Sequence, residues 1–510
     1  MRLRLLVSGG LALALVADSA LPVRARAGLT GLDGLKVAYD ALLDAQFDRA
    51  GDALRTACGP APREACEVLD ATSLWWQVLV DSRDTSRDPQ FQRKVNQAID
   101  LCEKWVAREP DRAEAWFYLG GAYGARVSWR VERGQHLAAA RDGKRIKEAL
   151  ERALVLEPTL EDARFGIGLY KYYADIAPTA AKLLRFLLLL PGGDKVAGLR
   201  DMQVTESRGQ LVAGEALYQL HWIYFWYEQQ PERGLEALEH LAARYPANPH
   251  FLQRIGEVQV QYFHDAARSL AAWQRLIDTA PASGAPQLAE VRGRLGAAEQ
   301  LDALRETDRS VSELRRVVTL APARPVGARA RAHLLLGRML DRLGQRDQAV
   351  AAYRAAIATP VPSGDPDRVV AQARQGLARV PEQGPAEGYR LSLEGWRAFE
   401  RGDLSTAETQ LTRARTIAPA DAMVRVRLAR IAARAQPDRA MAEFDAVIAS
   451  RPQVAPVALG AAYLWSAELL ERRGPRGQAI DRYRATTRVF AADSRMKDVA
   501  RAALTRLGAN

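Results

Sequence analysis

Residues 334–358 read LLLGRMLDRLGQRDQAVAAYRAAIA, two short amphipathic stretches separated by a turn. Gly337 lies midway along the first stretch, and Ala349, Tyr353 and Ala356 follow at helical spacing in the second. Earlier in the chain, WFYLGGAY at residues 116–123 places small and aromatic residues at similar offsets. A repeat period of roughly 34 residues predicts helix pairs that bury their apolar faces only by stacking on neighbouring pairs.

Small side chains recur at matching positions of these units. A Gly or Ala midway along the first helix lets the second helix approach closely, whereas a larger side chain would push the two apart. Gly344, Gly402 and Gly474 suit the left-handed turn that ends a helix, and Pro419 and Pro452 would stop the second helix. The positions predicted to have structural roles in the repeat are Trp116, Gly120, Tyr123, Gly337, Ala349, Tyr353, Ala356, Gly395, Ala407, Ala414, Ala440 and Ala479.

This pattern resembles the tetratricopeptide repeat superfamily, whose motif has Trp, Leu, Gly and Tyr in the first helix and Ala, Phe, Ala and Pro in the second. The resemblance implies an all-α fold, a right-handed α-solenoid of stacked antiparallel helix pairs forming one elongated spiral. Residues 110–280 are also somewhat similar to the inclusion-body clearance branch of the superfamily, which is linked to intracellular lipid and membrane surfaces in eukaryotes.

The quality of the repeat divides the chain into five segments. We predict a secretory signal at 1–27, degenerate helix pairs at 28–110, divergent repeats with an inserted apolar segment (176–202) at 111–322, regular repeats at 323–492, and a C-terminal capping helix at 493–510. The unit that begins at Trp116 is longer than the motif, and its surplus around residues 126–144 predicts longer helices or a protruding loop.

The N-terminus has the pattern of an export signal. Arg2 and Arg4 precede the apolar stretch 5–17, which is too short to span a bilayer comfortably. The small-x-small sequence at 25–27 predicts cleavage before Gly28, and an uncleaved anchor is the alternative. We therefore expect a periplasmic or cell-envelope protein. Loss of residues 1–27 would lower the formal net charge from +11 to +8.

Three cysteines occur in the chain. Cys58 and Cys66 flank a Gly-Pro-Ala-Pro loop between two predicted helices, where oxidation would join the two ends of a hairpin in an exported protein. Cys102 occupies a core position of a repeat and is expected to be a buried thiol.

The most apolar run after the signal is LLRFLLLL at 183–190. Its eight residues are far too few to cross a membrane, so it is a buried helix, a helix that docks a partner, or a peripheral membrane contact. The last of these gives an alternative function, a membrane-surface or lipid-associated factor of the envelope.

Catalytic and metal-binding patterns were not found. The six histidines fall at unrelated spacings, and neither a phosphate-binding loop nor a nucleophile elbow occurs. Glu206-Ser207 is similar to the catalytic pair of soluble lytic transglycosylases, which makes a cell-wall lytic enzyme with a helical solenoid a remote alternative. We predict no enzyme activity, no cofactor and no metal. No nucleic acid partner is expected, because no basic block is interleaved with stacking residues.

The remaining prediction is a binding surface. In the family, the first helices line a concave groove, and the motif register identifies the side chains that point into it. By this register the groove residues are Phe117, Trp226, Arg331, Arg338, Arg342, Tyr389, Trp396 and Arg425. Arginine with aromatic residues is typical of interface hot spots. We therefore predict a non-catalytic scaffold that binds an acidic or extended segment of a protein or peptide partner.

Overall fold

The computed structural model describes residues 28–177, 192–362, 364–379 and 382–509. Those residues form α-helices joined by short turns, and none of them lies in a β-strand. The first third contains α1 (Leu32–Leu43), α2 (Phe47–Ala57), α3 (Arg63–Val80), α4 (Asp88–Arg108), α5 (Ala113–Glu132), α6 (His136–Leu156) and α7 (Arg164–Ile176). The middle contains α8 (Lys195–Arg208), α9 (Ala213–Trp226), α10 (Pro231–Arg244), α11 (Pro249–Gln261), α12 (Ala266–Thr279), α13 (Pro286–Ala303) and α14 (Thr307–Leu320). The last part contains α15 (Ala328–Arg342), α16 (Arg346–Ala358), α17 (Val369–Ala378), α18 (Gln383–Glu400), α19 (Leu404–Ile417), α20 (Ala422–Ala432), α21 (Pro437–Ala449), α22 (Pro456–Arg473), α23 (Arg476–Arg488) and α24 (Ser494–Arg506).

Glycine is required at these positions of the repeat because an aromatic or Leu side chain packs directly against the backbone there. A Cβ added to Gly337 would lie 2.5 Å from a ring carbon of Tyr353, and one added to Gly120 would lie 2.5 Å from Leu150. Gly395 meets Leu411 in the same way, at 2.8 Å. Paired helices pack closely in this way along the chain, and the predicted all-α solenoid is confirmed.

Turns between paired helices use the predicted glycines. Gly344, Gly402 and Gly474 have φ values of +73°, +83° and +104°. Only glycine adopts this region without steric cost, so these residues end α15, α18 and α22.

The lengthened unit forms long helices and not a protruding loop. α5 has 20 residues and α6 has 21. Asp142 of α6 is buried and accepts from Arg126 of α5 at 2.7 and 2.9 Å, and it also pairs with Arg130. Because the buried carboxylate has two cationic partners, the extra turns of the two helices are held together.

Contacts between distant parts of the chain add to the stacking of neighbouring pairs. At the α1–α2 turn, Asp44 accepts from the backbone N–H of Ala247 at 2.8 Å, and Asn248 donates to the carbonyl of Leu43 at 2.7 Å. A Cβ on Gly284 would lie 1.8 Å from the carbonyl oxygen of Ala45, so the α12–α13 loop also approaches this turn. Successive coils of the solenoid therefore stack on one another.

The same stacking recurs further along the chain. Buried Asp81, after α3, binds Arg292 of α13 at 3.3 Å and Arg324 of the α14–α15 loop at 2.9 Å. Ser494 at the start of α24 donates to Asp265 at 2.8 Å, and Arg495 pairs with Glu306 at 3.0 Å. The C-terminal helix thus covers the last pair and also reaches back to the middle of the chain.

Two predictions fall outside the described residues, namely the export signal at 1–27 and the apolar run at 183–190. Among the described helices, none is both long and apolar enough to cross a membrane. The structure joins Cys58 and Cys66 in a disulfide, and Cys102 is a buried free thiol.

Candidate partner-binding surface

The first helices of successive pairs lie side by side and form a layer. α11 contacts α13, α13 contacts α15, and the same order continues through α18, α20, α22 and α24. We call this set, together with α9, the first-helix layer. Every predicted groove residue other than Phe117 lies on this layer.

Trp226 belongs to a compact aromatic cluster at the α9 end of the layer. Its ring stacks on that of Trp222 with centroids 3.9 Å apart, and Tyr262 meets it edge-on at 5.8 Å. The guanidinium of Arg254, on α11, lies 5.0 Å from the Trp222 ring and 5.1 Å from the Trp226 ring. These four residues, all partly buried, form what we call the aromatic platform.

Arg254 is held at the platform by one ion pair. Its Nη1 donates to Glu257 at 2.6 Å, whereas its buried Nε and Nη2 have no hydrogen-bond partner among the described residues. Cation–π attraction to two indoles compensates part of the free energy lost by burying these two nitrogens without partners.

Two histidines near the platform are also affected by burial. Burial, followed by the charge of Arg254, lowers the pKa of His221 to about 3 and that of His250 well below its usual value. Both imidazoles are therefore neutral at physiological pH.

Three of the predicted arginines line one face of α15. Arg331, Arg338 and Arg342 are spaced by seven and four residues, which places them on the same side of a helix. Arg331 pairs with Glu299 at 3.0 Å, Arg342 pairs with Asp302 at 3.0 Å, and Arg338 donates to Gln372. The side chains of Arg331 and Arg342 are 40% and 51% exposed. We call this set the arginine row.

Trp396 and Arg425 lie further along the layer. The Trp396 ring stacks on Trp465 of α22 at 5.1 Å, and Arg427 of α20 lies 5.4 Å from it. Arg427 is buried, and burial lowers its pKa to about 10. Arg425 donates to Glu443 at 2.9 Å. Most of the side chains named in this part of the layer therefore make contacts within the protein.

Two of the predicted groove residues have buried side chains. Phe117 packs in the N-terminal core against Tyr118, with ring centroids 5.1 Å apart. The hydroxyl of Tyr389 lies 2.7 Å from that of Thr307, and Arg305 lies 4.6 Å from the Tyr389 ring. The α13–α14 turn of the chain therefore occupies the place where a partner would have to contact Tyr389.

The structure brings several predicted residues together and leaves others apart. Arg342 and Tyr389 are linked through Asp302 and Thr307, whose side chains lie 2.6 Å apart. Phe117 is separate from this group. Register missed Trp222, although its spacing of four from Trp226 indicates a shared helix face. Arg254 could not be found from the sequence of α9, since it lies on α11, which is the first helix of the next pair.

No metal-binding group of three or more His, Cys, Asp or Glu side chains occurs in the part of the chain that the structure describes.

Comparisons with known proteins give structural matches only. No protein-family model matches the chain, and no curated protein matches it. A tetratricopeptide repeat protein from Parabacteroides merdae is 14% identical over 57% of this chain and 98% of its own, with a TM-score of 0.26. The Cut9–Hcn1 structure of the APC/C is 14% identical over 93% and 96%, with a TM-score of 0.23. A monomeric IFIT1 mutant with Gppp-AAAA is 13% identical over 94% and 82%, with a TM-score of 0.22. Similarity this low supports no transfer of function.

Proposed function

We propose that the protein is a non-catalytic scaffold of the cell envelope that holds an extended, acidic segment of a protein partner along the first-helix layer, from α9 to α15. The observation that carries the proposal is that the half-exposed arginine row lies on the same layer as the aromatic platform. Large aromatic side chains and arginine dominate the energetics of protein interfaces.

The arginine row favours an acidic partner. A guanidinium has five N–H donors, and each arginine of the row has one side-chain partner among the described residues, so donors remain for a second carboxylate. The formal net charge of +11 for the whole chain, or +8 without residues 1–27, would also attract an acidic segment.

A photo-crosslinking experiment tests this surface. A benzophenone amino acid replaces Trp226 in one variant and Arg354, which is exposed on the second helix α16, in a matched control. We expect an adduct with an envelope protein from position 226 only. Arg331→Glu with Arg338→Glu should lower the yield by about tenfold, because two attractive charges become repulsive. Equal adducts from positions 226 and 354, or a yield unchanged by the charge reversal, would contradict the proposal.

Export and cleavage before Gly28 are part of the proposal, and one contact supports them. The backbone nitrogen of Gly28 lies 2.9 and 3.0 Å from the two carboxylate oxygens of Glu157. Cleavage between residues 27 and 28 would turn this amide into an ammonium group and the hydrogen bonds into an ion pair. Mass spectrometry of the protein from periplasmic extract should give a mature chain that begins at Gly28. An uncleaved chain would contradict this part of the proposal.

A further inference from the structure

A cleft of about 520 Å³ opens where the C-terminal helix returns to the middle of the chain. Helix α10 forms one wall with Glu232, Glu236 and Glu239, and Leu235 lies among them. The floor includes Phe263 and Gln259, and the wall on the α24 side consists of Ser494, Lys497 and Arg501, with Asp265 and Arg268 next to it. We call this the seam cleft. Its walls come from distant parts of the chain, and its lining shares no residue with the aromatic platform or the arginine row.

The α10 wall has negative charge that the described residues do not neutralise. Glu232, Glu236 and Glu239 lie four and three residues apart and share one helix face. Glu239 pairs with Arg275 at 3.2 Å, but neither Glu232 nor Glu236 has an ion-pair partner in the described part of the chain. Like charges four residues apart repel, so a cation between them would be stabilised.

The α24 side offers positive charge. Lys497 makes no side-chain ion pair with any described residue, while Arg501 pairs with Asp498 at 2.7 Å. The hydrogen bond between Ser494 and Asp265 fixes this wall relative to the α11–α12 turn.

The amide side chain of Gln259 lines the floor between the two walls. Gln259 is 5% exposed, and its side chain has no hydrogen-bond partner among the residues that the structure describes. Because this side chain lines the cleft, its amide can donate to an oxygen of a bound ligand and accept from a ligand N–H group.

We propose that the seam cleft binds a basic amino-acid unit with a free carboxylate, such as a terminal lysine or arginine of a peptide. Its cationic side chain would lie between Glu232 and Glu236, and its carboxylate would face Lys497. The apolar stem would lie on Leu235 and Phe263. A volume of about 520 Å³ is within the range of small-ligand sites and suits one or two residues.

Calorimetric titration with four probes tests the proposal. The probes are acetyl-Ala-Ala-Lys, the same peptide with a C-terminal amide, acetyl-Ala-Ala-Ala, and free lysine. We expect acetyl-Ala-Ala-Lys to bind about tenfold more tightly than the amide or the alanine peptide, because each of those lacks one charge. If free lysine binds as tightly as acetyl-Ala-Ala-Lys, the ligand is the free amino acid. If free lysine binds more weakly, the ligand is the end of a peptide chain.

Substitutions in each wall test the role of that wall separately. Glu232→Gln with Glu236→Gln should remove the preference for lysine over alanine, and Lys497→Met should remove the preference for the free carboxylate. Glu408→Gln, on an exposed face of α19, is the matched control and should change neither. Absence of heat with all four probes would overturn the proposal, as would preferences that both sets of variants leave unchanged. The partner-crosslinking experiment is independent of either result.

Discussion

At the scale of single residues, burial acts strongly on the carboxyl group of Glu215. It lies where α9 meets α1 and α3, and it accepts from the indole of Trp76 at 3.1 Å and from the hydroxyl of Tyr39 at 3.4 Å. No cation is among its hydrogen-bond partners in the described residues. Burial therefore raises its pKa to about 7, although the two hydrogen bonds oppose that shift.

This pKa predicts a pH dependence of stability. In the unfolded chain a glutamate has a pKa of about 4.3, so protonated Glu215 is favoured by folding, and its contribution is lost as pH rises through about 7. Between pH 4.5 and 8 this group alone should lower the free energy of unfolding by roughly 3 kcal/mol. Urea unfolding of Glu215→Gln, which cannot ionise, should show a correspondingly smaller loss than the unsubstituted protein. Identical pH profiles for the two proteins would contradict the assignment.

Gly337 is the second test at this scale. Gly337→Ala places a methyl group 2.5 Å from the Tyr353 ring, so we expect a loss of about 1–3 kcal/mol in the free energy of unfolding. Gly477→Ala is the matched control, because its added Cβ would have no atom within 4 Å and Ala favours a helix. Chemical denaturation measures both. Equal effects at the two sites would show that the close helix contact is not what requires glycine.

At the scale of elements, the sequence predicts pairs well because their signals are local. Gly337 and Tyr353 identify a close contact within 17 residues of chain, and Gly344 marks the turn between the helices. Burial of Tyr389 could not be predicted in this way. Its partners Arg305 and Thr307 belong to a turn more than 80 residues earlier, and nothing in the motif register specifies that approach.

The N-terminal segment before α1 gives a prediction at this scale. In a chain that begins at Gly28, Glu157→Gln should remove an ion pair and lower the melting temperature. The expected loss in the free energy of unfolding is about 1–2 kcal/mol. In a chain with two extra residues before Gly28, the same substitution should cost less, since only an amide hydrogen bond is lost. Thermal unfolding of all four proteins checks this. Equal losses in both backgrounds would argue against a charged terminus at Glu157.

At the scale of the whole molecule, stacking of coils was not predictable from the repeat. The motif describes only how one pair meets the next, whereas Asn248 and Leu43 or Asp81 and Arg292 are about 200 residues apart. Many of these long-range contacts are single hydrogen bonds or ion pairs from turns, which have no periodic signal. They bring helix pairs that are distant in sequence into contact, and the seam cleft lies at one such contact.

The most direct test of the stacked coils is a disulfide between Asp265→Cys and Ser494→Cys. Their side-chain oxygens lie 2.8 Å apart although the residues are separated by 229 positions. Among the described residues the native cysteines would not compete, because Cys58 and Cys66 are paired and Cys102 is buried. Mild oxidation of the folded protein should give a rapid intramolecular crosslink, seen as a mobility shift on a non-reducing gel, whereas Asp265→Cys with Asp438→Cys should not react. A crosslink that forms no faster in the first variant than in the second would contradict the stacked solenoid.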